Sequence, residues 1–153
     1  MASDLVVVEA ILNDADSVME LINKAYEVEI GSDGVAFKRD GINRLLHVSE
    51  LYEDITNRRV LIAVNKNNRD VILGTIIWSI ESNKLTFGPF AVSNSRRSEG
   101  IGKLLIDKVY SIALAHEISI IEIKVTDICM ITICQMKICN EIIYELLLQF
   151  TLH

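Results

Sequence analysis

The residues most able to do chemistry lie in one short segment, where two arginines precede two closely spaced glycines. Arg96 and Arg97 are followed by Gly100 and Gly102, and the polar stretch 93–100 separates a predicted strand from a predicted helix. A glycine has no β-carbon, so its backbone can approach an anion closely. An arginine guanidinium can bind two phosphate oxygens at once. The segment therefore has the composition of a phosphate site.

The helix that follows strengthens this interpretation. Apolar residues recur at three- and four-residue spacing from Ile101 onward, which predicts a helix over 101–117. The first N–H groups of a helix point outward at the positive end of its dipole, so the segment predicts a pyrophosphate cradle. It is not a P-loop, because Leu104 stands where that motif needs serine or threonine. It is not a dinucleotide fingerprint either, because Leu105 replaces the third glycine.

Changes of hydrophobic period along the chain predict the elements that position this segment. Three consecutive strands indicate an antiparallel meander, and the strand–helix–strand unit over 84–125 indicates a parallel pair joined by a crossover. The fold class is therefore α/β, with a mixed, mostly antiparallel sheet and helices on both faces. The predicted strands are 5–11, 59–64, 71–80, 84–92 and 119–125. The first predicted helix is capped by Asn13 or Asp14 and broken by Gly31 and Gly34, and the other two cover 41–57 and 101–117.

The pattern Arg97-x-x-Gly100-x-Gly102 resembles the acetyl-coenzyme A motif of the GNAT superfamily of N-acetyltransferases, written R/Q-x-x-G-x-G/A. The order of elements over 5–125 is also similar to that family. The resemblance implies one GNAT-like acyl-CoA N-acyltransferase domain over 1–153, with acetyl-CoA as cosubstrate and no metal. It also implies a small-molecule or peptide amine as the second substrate.

The stretch from Gly88 to Val92 is similar to the family's fourth strand. A proline cannot donate to a sheet ladder, so Pro89 is expected at a bulge or an edge. The resemblance implies that this bulge separates the fourth strand from the fifth and leaves a slot for the pantetheine arm. The arm is expected to bind the backbone of Phe90, Ala91 and Val92, and the pyrophosphate is expected to bind Arg97 and the backbone of Ser98, Glu99, Gly100, Ile101, Gly102 and Lys103.

The implied reaction is acetyl transfer to a primary amine by direct attack in a ternary complex, with an N–H near Phe90 as the oxyanion donor. The sequence does not identify the catalytic residues. No carboxylate lies in 85–92, where some family members carry one. Glu81 is a candidate base through water and Tyr144 a candidate acid, although a solvated turn residue and a core tyrosine are the simpler interpretations. Two alternatives stay open: a CoA-binding module with little or no transferase activity, and an α/β domain with no such ligand.

Composition excludes several classes of protein. The 153 residues carry a net charge of −6, which argues against nucleic acid as a partner. No apolar run reaches the length of a membrane span, and the N-terminus lacks a signal-peptide pattern, so a cytoplasmic protein without a membrane partner is expected. The three cysteines are spaced by five residues, with no paired spacing typical of a zinc site.

The last part of the chain departs from the family pattern. The family continues with a further helix and two more strands, whereas segment 126–153 has no glycine and suggests a divergent or truncated terminus. The strand at 119–125 would then be an exposed edge, which native proteins rarely tolerate. We expect 128–134 to fold back as an antiparallel strand after a turn at Thr126 and Asp127, with a helix from Asn140. A homodimer and a poorly ordered tail are the alternatives.

Overall fold

The computed structural model describes the backbone of residues 4–33, 38–39, 42–43, 48–93, 100–124 and 130–134, and the side chains of 4–24, 49–93 and 100–122. Eight strands and three α-helices form in this part of the chain. The strands are β1 Leu5–Glu9, β2 Lys38–Arg39, β3 Ile42–Asn43, β4 Val60–Asn65, β5 Asn68–Glu81, β6 Lys84–Val92, β7 Ile120–Lys124 and β8 Met130–Cys134. The helices are α1 Ala15–Asp33, α2 Val48–Thr56 and α3 Ile101–Ala115.

Six strands form one mixed sheet in the order β1-β4-β5-β6-β7-β8. The β6–β7 pair is parallel, and each other neighbouring pair in this sheet is antiparallel. Helix α3 connects β6 to β7, because a parallel pair needs a crossover rather than a hairpin. The predicted mixed, mostly antiparallel sheet is therefore confirmed. The short strands β2 and β3 pair separately as a second sheet.

The central strands are buried on both faces, which explains why β4 is continuously apolar instead of alternating. Side chains alternate along a strand, so successive residues of β4 enter two different cores. Helix α3 covers one face, and helices α1 and α2 cover the other. The α3 core contains Leu61, Ala63, Ile76, Leu85, Phe87, Leu105, Val109 and Ile121, and the α1–α2 core contains Val18, Ile22, Leu51, Ile55, Val60, Ile62, Val64, Ile77 and Ala91.

Two predicted helix boundaries were wrong. Helix α1 continues through Gly31 to Asp33, because one glycine costs a helix only about 1 kcal/mol. The helix predicted over 41–57 begins at Val48, and Ile42–Asn43 pair instead with Lys38–Arg39 as a strand. A few apolar residues do not distinguish a short strand from a helix, and the backbone pairing with β2 decides the outcome.

Strand β8 lies antiparallel beside β7, with Ile121 opposite Ile133. This confirms the fold-back predicted for 128–134 and covers the edge of β7 that would otherwise be exposed. The proposed turn at Thr126 and Asp127 lies outside the described residues, as does the helix predicted from Asn140.

We expect deletion of residues 126–153 to cause aggregation. The deletion removes β8 and exposes the N–H and C=O groups along β7, and such an edge pairs readily with a second chain. Size-exclusion chromatography with light scattering measures the result. A truncated protein that stays monomeric, soluble and as stable as the parent would contradict this role of β8.

A salt bridge ties the start of α1 to the β4–β5 hairpin. Arg69 Nη1 and Nη2 donate to the two carboxylate oxygens of Asp14 at 3.0 and 2.9 Å, and the Ile11 N–H donates to the same carboxylate at 2.8 Å. The Asp14 side chain is only 10% exposed. The hydrogen bond from Arg69 is the main cause that holds the pKa of Asp14 below its ordinary value, against the opposing effect of burial.

The change Asp14→Asn should lower the free energy of unfolding at pH 7 by about 2 kcal/mol, since a buried hydrogen-bonded charge pair is broken. The folded-state pKa of Asp14 is lowered, so its contribution is present above the unfolded pKa of about 3.9 and is lost as pH falls through the folded value. Urea unfolding of parent and variant should therefore converge in acid. Asp16→Asn, at an exposed position, is the matched control and should change little.

Candidate functional site

Strands β6 and β7 separate halfway along β6. Their parallel pairing runs from Lys84 opposite Ile120 to Phe87 opposite Ile123 and then stops. Strand β6 continues to Val92, paired with β5 alone among the described strands. Strand β7 ends at Lys124, which pairs with β8. In the part of the chain that the structure describes, a slot therefore opens beside residues 88–92, between two strands that are neighbours at their other end.

A bulge in β6 marks the point of separation. Ile76 of β5 lies opposite Phe90, but Trp78 lies opposite Phe87, so two steps along β5 correspond to three along β6. The extra residue falls at Gly88-Pro89, which confirms the bulge predicted at Pro89. Because proline has no N–H, Pro89 cannot take part in a regular ladder, which fits its place at the bulge.

The alternation of backbone groups decides which residues face the slot. The Ser93 N–H donates to the Leu73 carbonyl of β5 at 2.8 Å. Along an antiparallel strand, every second residue bonds to the same neighbour, so the backbone of Ala91 also faces β5. The N–H and C=O groups of Phe90 and Val92 consequently face the slot. Of the three residues predicted to contact the arm, Phe90 and Val92 have backbones that face the slot, whereas the backbone of Ala91 faces β5.

Helix α3 begins at the open end of this slot. Gly100 is its N-cap residue with φ +80° and ψ +11°, a left-handed conformation that favours glycine. Among the described residues, no atom lies within 4 Å of where a β-carbon of Gly100 would be, apart from its chain neighbours. The first helical hydrogen bond runs from the Leu104 N–H to the Gly100 carbonyl at 3.1 Å. The helix itself therefore makes no use of the N–H groups of Ile101 and Gly102, which lie at the positive end of its dipole.

Gly102 has a packing role that the sequence analysis did not predict. A β-carbon there would lie 3.0 Å from Cζ of Phe90 and 3.8 Å from Cγ2 of Val92. The missing side chain thus lets the first turn of α3 pack directly on strand β6 beside the slot. Ile101 anchors the same turn in the α3 core, with 1% of its surface exposed.

The same close packing depends on Gly74, a residue that the sequence analysis missed. A β-carbon at Gly74 in β5 would lie 2.7 Å from Cγ2 of Ile101 and 3.0 Å from Cδ1 of Leu105. Its absence lets α3 approach the sheet beside the slot. The available signal was an isolated glycine inside a strand pattern, which often marks a close approach of another element.

The remaining predicted site residues divide into two groups. Lys103 lies in the first turn of α3, where its ammonium pairs with Asp107 at 2.7 Å. Arg97, Ser98 and Glu99 lie outside the described residues. The structure therefore brings Phe90, Val92 and the glycine-bearing helix start together, as the sequence analysis expected.

Glu81, the candidate base in the preceding turn, lies at the wrong end of the hairpin. It pairs with Lys84, six residues along β6 from Phe90. Six strand residues span about 20 Å, beyond the reach of a single bridging water. The candidate acid, Tyr144, lies outside the described residues.

In the described part of the chain, no group of three or more His, Cys, Asp and Glu side chains is placed to hold a metal ion. Among the helices that the structure describes, none is both long enough and apolar enough to cross a bilayer.

A slot between parallel strands, with a glycine-bearing helix start at its mouth, is the arrangement expected for an acyl-CoA N-acyltransferase. The model of the acetyltransferase (GNAT) family matches residues 16–128 of this chain. The chain therefore belongs to the GNAT family of acetyltransferases. A search of curated proteins found no match.

Solved structures with the same fold are numerous and distant in sequence. A Mycobacterium tuberculosis protein solved with CoA has a TM-score of 0.61 and 16% identity, over 77% of this chain and 63% of its own. The PaiA N-acetyltransferase of Thermoplasma acidophilum, in complex with coenzyme A, has a TM-score of 0.66 and 14% identity, over 78% and 77%. A GNAT acetyltransferase of Brucella melitensis, in complex with acetyl-CoA, has a TM-score of 0.57 and 17% identity, over 78% and 74%.

Proposed function

We propose that this protein transfers an acetyl group from acetyl-CoA to a primary amine, by direct attack in a ternary complex in the cytoplasm. The observation that carries the proposal is the stretch 88–92 of β6, which among the described strands is paired on the β5 side alone and lies beside the start of α3. Membership of the GNAT family supports the reaction class. The CoA and acetyl-CoA complexes of proteins with the same fold support the choice of cosubstrate.

The slot fits a ligand that carries amide groups. The backbone of Phe90 and Val92 presents N–H and C=O groups where a neighbouring strand would otherwise bind. A pantetheine arm can take the place of that strand, because its two amides supply the donors and acceptors that an added strand supplies. When bound, acetyl-CoA supplies an activated thioester. The position of the pantetheine arm along β6 sets where the thioester carbonyl lies.

The start of α3 fits the other end of the cosubstrate. The N–H groups of Ile101 and Gly102 lie at the positive end of the helix dipole, where a pyrophosphate is stabilised. Gly100 adds a turn without a side chain, and its open surroundings leave room for phosphate oxygens. We assign the rest of the cradle to Arg97 and to the backbone of Ser98, Glu99 and Lys103.

The slot-facing N–H of Phe90 is the proposed oxyanion donor. A backbone N–H fixed by the bulge does not have to reorganise when charge develops on the thioester oxygen, so it favours the tetrahedral state. Neighbouring Pro89 has no N–H to offer, and Gly88 and Pro89 set the direction in which Phe90 faces.

A CoA-binding module with little transferase activity is the second candidate. The specific observation in its favour is the composition of 85–92, which contains no ionisable side chain along the slot strand. Thiol release from acetyl-CoA separates the two functions. The amines to be tested are spermidine, lysine, glutamate and a peptide with a free N-terminal alanine, and release above the hydrolysis rate with any of them identifies a transferase.

Acetyl-CoA at 100 times its dissociation constant should stabilise the folded protein by about 2.7 kcal/mol, because a ligand that binds only the native state shifts unfolding by mass action. Thermal and urea unfolding with and without acetyl-CoA measure this effect. An unchanged unfolding curve at saturating acetyl-CoA, in a sample shown to be folded, would exclude both candidate functions.

Gly100→Val should abolish acetyl-CoA binding while the core stays folded, because a β-branched residue resists the left-handed conformation of the cap. Gly102→Val should also abolish binding, because its side chain displaces Phe90. Arg97→Ala should weaken binding less than either, since the backbone donors remain. Calorimetric titration measures all three.

Lys66→Ala is the control for these variants, because Lys66 lies in the β4–β5 turn, away from the slot. If Arg97→Ala and Lys66→Ala change the affinity equally, the assignment of Arg97 to the pyrophosphate is wrong.

A further inference from the structure

The ring of Phe90 lies between the slot strand β6 and the start of α3. Its side chain projects toward α3 and is partly buried against the α3 core. The outermost carbon of the ring, Cζ, lies 3.0 Å from the point where a β-carbon of Gly102 would be. Carbon atoms in ordinary contact are about 3.5–4.0 Å apart, so the ring already occupies the space that a larger residue at position 102 would need.

The backbone of Phe90 follows directly after the bulge at Gly88-Pro89. Its N–H and C=O groups face the slot, whereas those of Ala91 face β5, so the ladder to β5 holds Phe90 only through its neighbour. The contact between the ring and the first turn of α3 therefore restrains Phe90 where the ladder does not.

The first turn of α3 is a fixed support for this ring. Ile101 and Leu105 are 1% and 0% exposed, and both lie against β5 at Gly74, where a β-carbon would be 2.7 Å from Cγ2 of Ile101. Closely packed core side chains have little room to move. The ring of Phe90 thus rests against a turn that the α3 core holds in place.

We propose that the ring of Phe90 is a positioning group for acetyl transfer: seated against Gly102, it sets the direction of the Phe90 N–H toward the thioester oxygen. The inference rests on the proposed function, in which this N–H is the oxyanion donor. Stabilisation of a developing oxyanion depends on a donor that is already in place, and a misplacement of about 1 Å can cost a reaction about 100-fold.

Val92 makes a looser contact with the same glycine. Its Cγ2 lies 3.8 Å from the β-carbon position of Gly102, which is an ordinary contact distance. A methyl group at position 102 would therefore fit against Val92 and would press on Phe90. Both neighbours belong to β6, so this methyl group would point at the sheet and leave the open end of the helix unchanged.

The first test is Gly102→Ala, measured with acetyl-CoA and the amine that releases most thiol. The added methyl group displaces the ring and with it the N–H, so kcat should fall by about 10-fold or more. The affinity for CoA, measured by calorimetry, should stay close to that of the parent because the helix start remains open. Alanine has a higher helix propensity than glycine, so the variant is expected to fold.

A second substitution distinguishes the ring from its surroundings. Phe90→Leu removes Cζ and should lower kcat by itself, because the shorter side chain no longer reaches the turn. The double variant Gly102→Ala with Phe90→Leu should be more active than Gly102→Ala alone, since the methyl group then fills the space that the ring has left. Val92→Ala is the matched control: combined with Gly102→Ala it relieves no overlap and should restore no activity.

The mobility of the amide at position 90 gives a readout that does not depend on activity. Relaxation of ¹⁵N in the ligand-free protein measures its order parameter, which is about 0.85 for rigid backbone. The parent and the distant control Lys66→Ala should both have a value of this size, and Phe90→Leu should have a lower one. An order parameter that Phe90→Leu leaves unchanged overturns the proposal.

The kinetic outcomes separate this inference from the function on which it rests. A Gly102→Ala protein with the kcat of the parent overturns the positioning role, and so does equal rescue by Phe90→Leu and Val92→Ala. If Gly102→Ala does not fold, the double variant with Phe90→Leu decides: a folded double variant supports the overlap with the ring, and an unfolded one overturns it. A parent protein that binds acetyl-CoA but releases no thiol with any amine overturns the transferase function and the positioning role together.

Discussion

The arrangement of the site depends on one backbone constraint: β6 cannot remain paired with β7 beyond Phe87. The bulge at Gly88-Pro89 shifts the register against β5, and the described pairing with β7 ends one residue before it. Backbone N–H and C=O groups inside a protein require partners. We therefore propose that the slot-facing groups of Phe90 and Val92 bind a ligand that carries amides.

The position of α3 follows from the same part of the sheet. Its first turn has to lie against β5 and β6, and the missing β-carbons of Gly74 and Gly102 make that distance possible. Burial of Ile101 and Leu105 then fixes the position of the helix start. The N–H groups before Leu104 make no hydrogen bond within the helix. Packing on one side of the turn thus orients, on the other side, the N–H groups to which we assign the pyrophosphate.

Strand β7 has different surroundings on its two faces. Its first residues complete the sheet, with Ile121 in the α3 core and β8 covering its outer edge. On the opposite face, Glu122 introduces a charge into a nearly enclosed position, where burial is costly unless the charge is paired. The Lys84 ammonium provides that partner, so the charge is tolerated within the sheet.

The sequence predicted the three-strand meander, the parallel pair joined by a helix, the fold-back of β8 and the helix start at Gly100, and with the family resemblance it predicted the bulge at Pro89; it did not predict that β1 lies beside β4. These features depend on local properties of the chain: the period of its hydrophobic residues, the N–H that Pro89 lacks and the β-carbon that Gly100 lacks. It could not determine that Ala91 faces β5 while Phe90 and Val92 face the slot, because strand register fixes this. The importance of Gly74, the distance of Glu81 from the slot and the pairing of Glu122 with Lys84 were likewise decided by tertiary structure, since each depends on residues far apart in the chain.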